Sequence, residues 1–454
     1  MSSTAPVPAK VAPPVPLLIN RNYALLWIGQ SISTIGDAIF DTTLVLWIAS
    51  RIAQGQSWAP LAVSGVLIAT AIPIMVVGPL AGVFVDRWNK RYTMLRMDAL
   101  RAVLIVALLL LTPLPFLNSS TWPHGVQLAG IYLVVLLATV AAQFFGPSRL
   151  TLIGDVVSEE QQARATGMAQ TSQSLSVVIG PPLAALLFFG TGVQWALLIN
   201  AASFVISFLA IFLIKVPQRV VDDEENEGGS FFLTDLTSGL TYFRGNRVLT
   251  TVLITVTIAM FGAGALNALD YFFIVRNLHA APSLYGFIGT AQGIGAIVGA
   301  LAAAVWAERL GVARTFWSAV LALAVLILVY ARLTSFAPAL VVAFLVGLPT
   351  AALNVAVGPL ILRNTPRKYI GRVAAVLTPA MSLASIASIA VAGYITTIVS
   401  NFSATVFGIS FGPVDTVFTV AALLIGVAGL YAAFNLRVED GLKKAPVGET
   451  AAGS

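Results

Sequence analysis

The sequence predicts an all-α membrane protein: twelve spanning helices in two six-helix bundles. Three observations carry that prediction. First, of 454 residues 58% are hydrophobic and only 10% are charged, with a mean hydropathy of +0.91. Soluble chains carry about 25% charged residues, so this chain cannot cover a water-facing surface. Second, about twelve runs reach the roughly 20 apolar residues that a spanning helix needs. Third, the two halves of the chain echo each other.

The runs lie near 24–50, 59–84, 94–117, 125–146, 164–190 and 193–215 in the first half. In the second they lie near 248–275, 283–307, 315–333, 337–362, 370–399 and 414–436. The expected organisation is a disordered tail over 1–22, a bundle over 23–216, a linker over 217–247, a second bundle over 248–436 and a tail over 437–454. Within the linker, Phe231, Leu236, Leu240 and Phe243 recur at helical spacing, which reads as an amphipathic helix on the membrane surface. The N-terminal stretch lacks the order of a cleaved signal peptide.

Lys and Arg favour the cytoplasmic side of a membrane. With the N-terminus inside, only Arg51, Arg276 and Arg332 fall outside, so both termini are expected in the cytoplasm. The net charge of +6 is therefore read as topology, with no nucleic-acid partner. There is no Cys and only two His, His124 and His279. With no metal-ligand pattern, phosphate loop or nucleophile–base set, an enzyme is the weakest reading.

The repeat has two parts. GPLAGVFVDRWNKRYTM (78–94) closes run two, and GALAAAVWAERLGVARTF (299–316) closes run eight. GPSRLTLIGDVVSEEQQARATG (146–167) follows run four, and GPLILRNTPRKYIGRVAA (358–375) follows run ten. Parallel six-span repeats with a substrate site between them are one transporter design.

The stretch GPLAGVFVDRWNKR matches the signature between spans two and three of the major facilitator superfamily, through Gly78, Leu80, Gly82, Asp86, Arg87, Lys90 and Arg91. Over the whole membrane domain the chain resembles that superfamily. NRNYALLWIGQSISTIGDA, the segment 146–167 and LTDLTSGLTYFRGN resemble its bacterial macrolide-efflux and enterobactin-exporter branch. The resemblance implies a multi-pass protein of the bacterial plasma membrane. It would export amphipathic small molecules, drug- or macrolide-like, with H+ as coupling ion and no cofactor. It also implies that the Gly78/Gly82 face packs on span eleven, with Asp86 near Gly371 at that helix's N-terminus, where the helix dipole favours a carboxylate. Arg87, Lys90 and Arg91 would join a cluster that holds the cytoplasmic side shut. Glu308, Arg309 and Arg314 would do the same against span five. Exporters of the superfamily often carry G-P-x-x-G-G in span five. This chain keeps Gly180 and Pro181 but has Ala184 and Ala185 in place of the two glycines, which weakens the antiport inference.

The residues of the first run make a separate argument. Gln30, Thr34, Asp37 and Asp41 are spaced 4, 3 and 4, so they share one helix face. Acids inside a membrane face a water-filled cavity or a partner and mark ion or substrate paths. Two carboxylates a turn apart titrate as a coupled unit, which suits proton coupling and also attracts a cationic amphiphile. The alternative is hydrogen bonding between helices. Asp270 in run seven is read as interfacial, and Asp98 as a local ion pair near Arg96 and Arg101. Gln143, Gln170, Gln173, Asn267, Gln292 and Asn354 are candidates to line a cavity, although a lone amide more often bonds a neighbouring helix.

Two rival functions remain open at this level. One is a siderophore, lysophospholipid or other metabolite carrier without proton coupling. The other is a receptor or assembly factor on the same scaffold. Nothing in the sequence calls for more than a monomer in its lipid bilayer.

Overall fold

The computed structural model describes residues 18–112, 122–215, 243, 245–366, 369–400, 404–406 and 409–442. For Val83, Asp86, Ala304, 404–406, 409–410 and 437–442 it describes the backbone alone. In the first half α1 (Arg21–Trp47) runs on through a π-helical turn, Ile48–Ile52. It is followed by α2 (Ala59–Val76), α3 (Gly78–Arg87), α4 (Lys90–Leu108), α5 (His124–Val156), α6 (Glu159–Gly190) and α7 (Val193–Phe212). The second half holds α8 (Arg247–Arg276), α9 (Tyr285–Leu310), α10 (Val312–Tyr330), α11 (Phe336–Asn364), α12 (Ile370–Ile398) and α13 (Pro413–Leu442). Together α2 and α3 form the second span.

Eleven of these elements are long and apolar enough to cross a membrane. The predicted run 94–117 forms α4, which falls short of that measure because it carries Lys90, Arg91, Arg96, Asp98 and Arg101. One small departure from an all-α chain lies between α12 and α13. Strands β1 (Ala404–Val406) and β2 (Ile409–Phe411) pair antiparallel, in a stretch whose Thr405, Val406 and Ile409 are β-branched and suit a pleat. At the C-terminus α13 continues to Leu442, past the boundary expected at 436. Of the expected linker helix, Phe231, Leu236 and Leu240 lie outside the described residues. Phe243 is buried with Leu249, Val373 and Val376.

The two halves share one packing order. In the first, α1 lies on α6 and α7, α4 on α5 and α7, and α2 on α5. In the second, α8 lies on α12 and α13, α10 on α11 and α13, and α9 on α11. The correspondence reaches single side chains. Asn20 caps α1 by accepting from Tyr23 N at 2.8 Å, and its amide donates to the Val156 carbonyl at 2.6 Å. Asn246 caps α8 by accepting from Leu249 N at 3.1 Å, and donates to the Asn364 carbonyl at 3.1 Å. Each thus ties the first helix of its half to the end of the fourth span. An Asn side chain suits this position because its oxygen satisfies a backbone N–H that the helix cannot.

Between the halves, α6 packs on α9 and α2 on α12. Both contacts lie toward the end opposite the termini. A Cβ on Gly286, at the start of α9, would come within 2.3 Å of the Pro181 carbonyl oxygen. One on Gly393, near the end of α12, would meet Pro60 O at 3.2 Å and overlap Ser64. At the end that holds the termini, a Cβ at Gly82, Gly167, Gly358 or Gly371 meets nothing within 4 Å. The molecule is therefore closed at one end and parted at the other.

Candidate functional site

The polar stripe of α1 faces inward. Asp41 is exposed and the Asp37 side chain retains 42% of its accessible surface, although both lie deep within the molecule. Asp37 faces Arg101 of α4, on the inner side of its own half. Gln30 and Thr34 are half-buried, and the Thr34 hydroxyl donates back to the Gln30 carbonyl at 2.7 Å.

A chain of polar contacts begins and ends on this stripe. The Gln30 amide donates to Ser207 Oγ at 2.8 Å. Ser207 donates to Asp98 Oδ2 at 2.6 Å. Arg101 donates to Asp98 Oδ1 at 2.5 Å, and its other terminal nitrogen stands 4.0 Å from Asp37 Oδ2. The guanidinium lies between the rings of Phe145 and Phe204, at 4.6 and 4.3 Å from their centroids. Asp98 has 0% exposure and two charge-supporting hydrogen bonds, so it and Arg101 form a closed neutral pair. Asp37 keeps only the long contact and no hydrogen bond among the described residues. Asp41, one turn further on, is exposed and also makes no hydrogen bond among the described residues. The Asp98–Arg101 pair was legible as an i, i+3 spacing. The reach of Arg101 to Asp37, and the part of Ser207, were not.

In the second half, Asp270 is half-buried and accepts from the Tyr330 hydroxyl at 2.9 Å. The Tyr271 and Tyr285 rings stand beside each other, 5.7 Å between centroids. Tyr330 is the last residue of α10, so this acid is held near the ends of both helices, in keeping with the interfacial place expected from the sequence.

Of the amides, Gln170, Gln173, Asn267, Gln292 and Asn354 are exposed and make no hydrogen bond to a neighbouring helix among the described residues. Gln143 is half-buried and bonds within its own helix, to Thr139 O at 3.4 Å.

The gate motif is not engaged as the resemblance implied. Helix α3 packs on α5 of its own half. Gly78 lies against Gln143, and Gly82 faces open space. The halves are parted at this end, so span eleven is out of reach. The side chain of Asp86 lies outside the described residues, and Arg87 is exposed. Arg91 binds within its own half: its Nε donates to Ile211 O at 3.2 Å and a terminal nitrogen to Phe212 O, with the Phe212 ring beneath it. Lys90 is half-buried, and Glu308, Arg309 and Arg314 are exposed at the parted end.

Gly180 and Pro181 occupy a junction of three helices. A Cβ on Gly180 would fall 2.4 Å from that of Ala38, the residue after Asp37. The next residue, Pro181, meets Gly286 of the other half. Helix α6 continues through Pro181 and Pro182, whose missing N–H groups leave the carbonyls of Val177 and Val178 unbonded by the helix. Thr290 of α9 donates to Val178 O at 2.7 Å. Only the glycine–proline pair was legible beforehand. Its partner, Thr290, gave no sequence signal.

The family model described as "Major Facilitator Superfamily" matches residues 26–273 and again 252–453. The chain belongs to the major facilitator superfamily. The second match mirrors the internal repeat. Among superfamily relatives, macrolide efflux protein A of Streptococcus pyogenes is 24% identical over 54% of this chain and 58% of its own length. The chain thus spans little more than half of those macrolide efflux proteins. The uncharacterized transporter YkuC of Bacillus subtilis is 22% identical over 80% of this chain and 83% of its own. The putative bacilysin exporter BacE of the same species is 26% identical over 63% and 67%. Among solved structures, the nucleoside transporter NupG superposes with a TM-score of 0.68 at 14% identity, over 92% of this chain and 99% of its own. A bacterial homologue of ferroportin in an inward-facing state gives 0.67 at 14%, over 91% and 99%. These two show the fold. These relatives and neighbours are themselves membrane transporters, and this chain shares their superfamily and their multi-pass fold.

Proposed function

We propose that this transporter exports amphipathic small molecules by alternating access, driven by proton entry through the carboxylates of α1. The observation that carries the reading is the pair Asp37 and Asp41. Both keep accessible surface, and Asp37 stands at the end of an ion chain that Asp98 and Arg101 close behind it. A proton or a cationic group of the cargo occupies Asp37. Its loss lets Asp37 draw closer to Arg101, which couples the state of the cavity to the packing of α1 on α4 and α7. No cofactor takes part. The parted end is cytoplasmic by the bias of Lys and Arg, with both termini there, so the conformation faces inward. Relatives named as efflux proteins support the outward direction.

The test uses the purified protein in liposomes with an imposed pH gradient. Cationic and neutral amphiphiles are added while internal pH is followed, for wild type and Asp37→Asn. Substrate-triggered proton movement that vanishes in the variant is the expected result. Cargo movement without protons in wild type removes the antiport reading and leaves a facilitated carrier. A protein that binds cargo and moves nothing is a receptor on this scaffold.

A further inference from the structure

A pocket of about 190 Å³ opens in the first half between α1, α5 and α6. Its polar wall is Gln30, Ser31 and Thr34 of α1, Arg149 of α5, and Gln170 and Gln173 of α6. Most of these groups are already committed. Gln30 donates to Ser207, Thr34 to the Gln30 carbonyl, and Ser31 shares a hydrogen bond with Ser172 at 2.7 Å. Arg149 is different. It is half-buried, its Nε is fully buried without a hydrogen-bond partner, and it makes no ion pair among the described residues. The titratable groups within its electrostatic reach are Tyr23 and Arg101. Neither is a carboxylate, and the Tyr23 proton is donated to Ala165 O at 2.7 Å.

An unpaired guanidinium in such surroundings is costly, since burial of a charge is tolerated where a partner compensates it. The described residues supply no partner here, and the pocket leaves room for one. A guanidinium offers donors in a planar fork that matches the two oxygens of a carboxylate. Gln170 and Gln173 add free amides beside it. The pocket is too small for a whole amphiphile, given the 300–1,000 Å³ or so of drug-sized sites, and suits an acid group with a short chain. Thr34 in its wall precedes Asp37 by three residues, about 4.5 Å along the helix. The pocket's Thr34 edge therefore lies about one helical turn from Asp37, while Arg149 stands toward its Tyr23 edge.

We propose that the Arg149 pocket is a cargo subsite for a carboxylate, so that the preferred cargo is an amphiphile carrying an acid group, with Asp37 receiving its cation or donor. This rests on the transport reading above for the word cargo, and on the pocket itself for the binding chemistry.

The test is fluorescence titration of the purified full-length protein with dansyl-phenylalanine and with its uncharged amide. Wild type should bind the acid about tenfold more tightly than the amide, the worth of one charge-assisted pair. Arg149→Gln should abolish the preference, Arg149→Lys should retain part of it, and the exposed control Arg363→Gln should retain all. Thermal unfolding is measured alongside. If Arg149→Gln fails to fold, the Arg149→Lys result alone decides. Equal binding of both probes by wild type, no binding of the acid up to about 1 mM, or an undiminished preference in Arg149→Gln or Arg149→Lys each overturns the proposal. The outcome is separable from the transport reading: a preference that depends on Arg149 in a protein that moves no protons leaves the subsite standing and removes the antiporter.

Discussion

The hydroxyl of Thr290 donates to the carbonyl oxygen of Val178 at 2.7 Å, across the boundary between the two halves. Val178 lies four residues before Pro182, so its own helix offers it no N–H. One half carries the orphan acceptor and the other carries its donor. Thr290→Val keeps the shape and removes the bond, a loss of about 0.5–1.5 kcal/mol borne by the closed end alone. The chain has 0 Cys, so spin labels on Ser57→Cys and Ala281→Cys, one exposed site in each half at that end, report the change cleanly. The distance distribution should gain a longer component in the Thr290→Val background. An unchanged distribution would mean that this bond does not help to hold the end shut.

Asp98 and Asp37 share Arg101, yet their substitutions should cost very different amounts. Asp98→Asn leaves the sandwiched guanidinium without its buried counter-charge, which costs about 3–5 kcal/mol. Asp37→Asn removes only the 4.0 Å contact of a side chain that keeps 42% of its exposure, and should cost under about 1 kcal/mol. Thermal unfolding in detergent separates the two. A large loss at Asp37 would make it a structural acid and undercut the coupling role.

Two glycines give a second contrast. A side chain at Gly180 collides with Ala38 at once, so Gly180→Leu should destabilise the protein by about 1–3 kcal/mol. A side chain at Gly82 meets nothing within 4 Å. Gly82→Leu should therefore unfold at the wild-type temperature and yet fail to transport, because the opposite conformation brings that face against another helix. Full transport by Gly82→Leu would show that this face is never covered.

Asn20→Ala and Asn246→Ala remove equivalent caps from the two halves. Each should cost about 1–2 kcal/mol, the loss of an N-cap plus the bond to the fourth span. In the double variant the costs should add, since the sites share no partner. Strong non-additivity would mean that the halves melt as one unit coupled through their ends.

The number of spans, the repeat and the polar stripe of α1 were legible because hydropathy and helical spacing encode them directly. Asn20 and Asn246 were legible in principle: each precedes Arg at the start of a half, and the pairing emerges when the halves are aligned. Contacts between distant helices were not. Nothing local marks Ser207 as the donor to Asp98, or Thr290 as the donor to Val178. Arg149 read as one more basic residue at an inner helix end, because a count of positive charge does not say which guanidinium is left without a partner. The expected packing of Gly78 and Gly82 on span eleven is not formed here, since Gly78 meets Gln143 and Gly82 meets nothing within 4 Å, and a motif does not say which state a molecule occupies.

The position of the α6–α9 contact along α6 fixes a mechanical ratio. From Glu159 to Val178 is about 28 Å of helix, and from Val178 to Gly190 about 18 Å. If the halves tilt about that point, the longer arm lies on the side of the termini. A tilt of about 10° then sweeps the long arm through about 5 Å and the short arm through about 3 Å, for these helix lengths. For the same rotation, the aperture on the side of the termini would open wider than its counterpart.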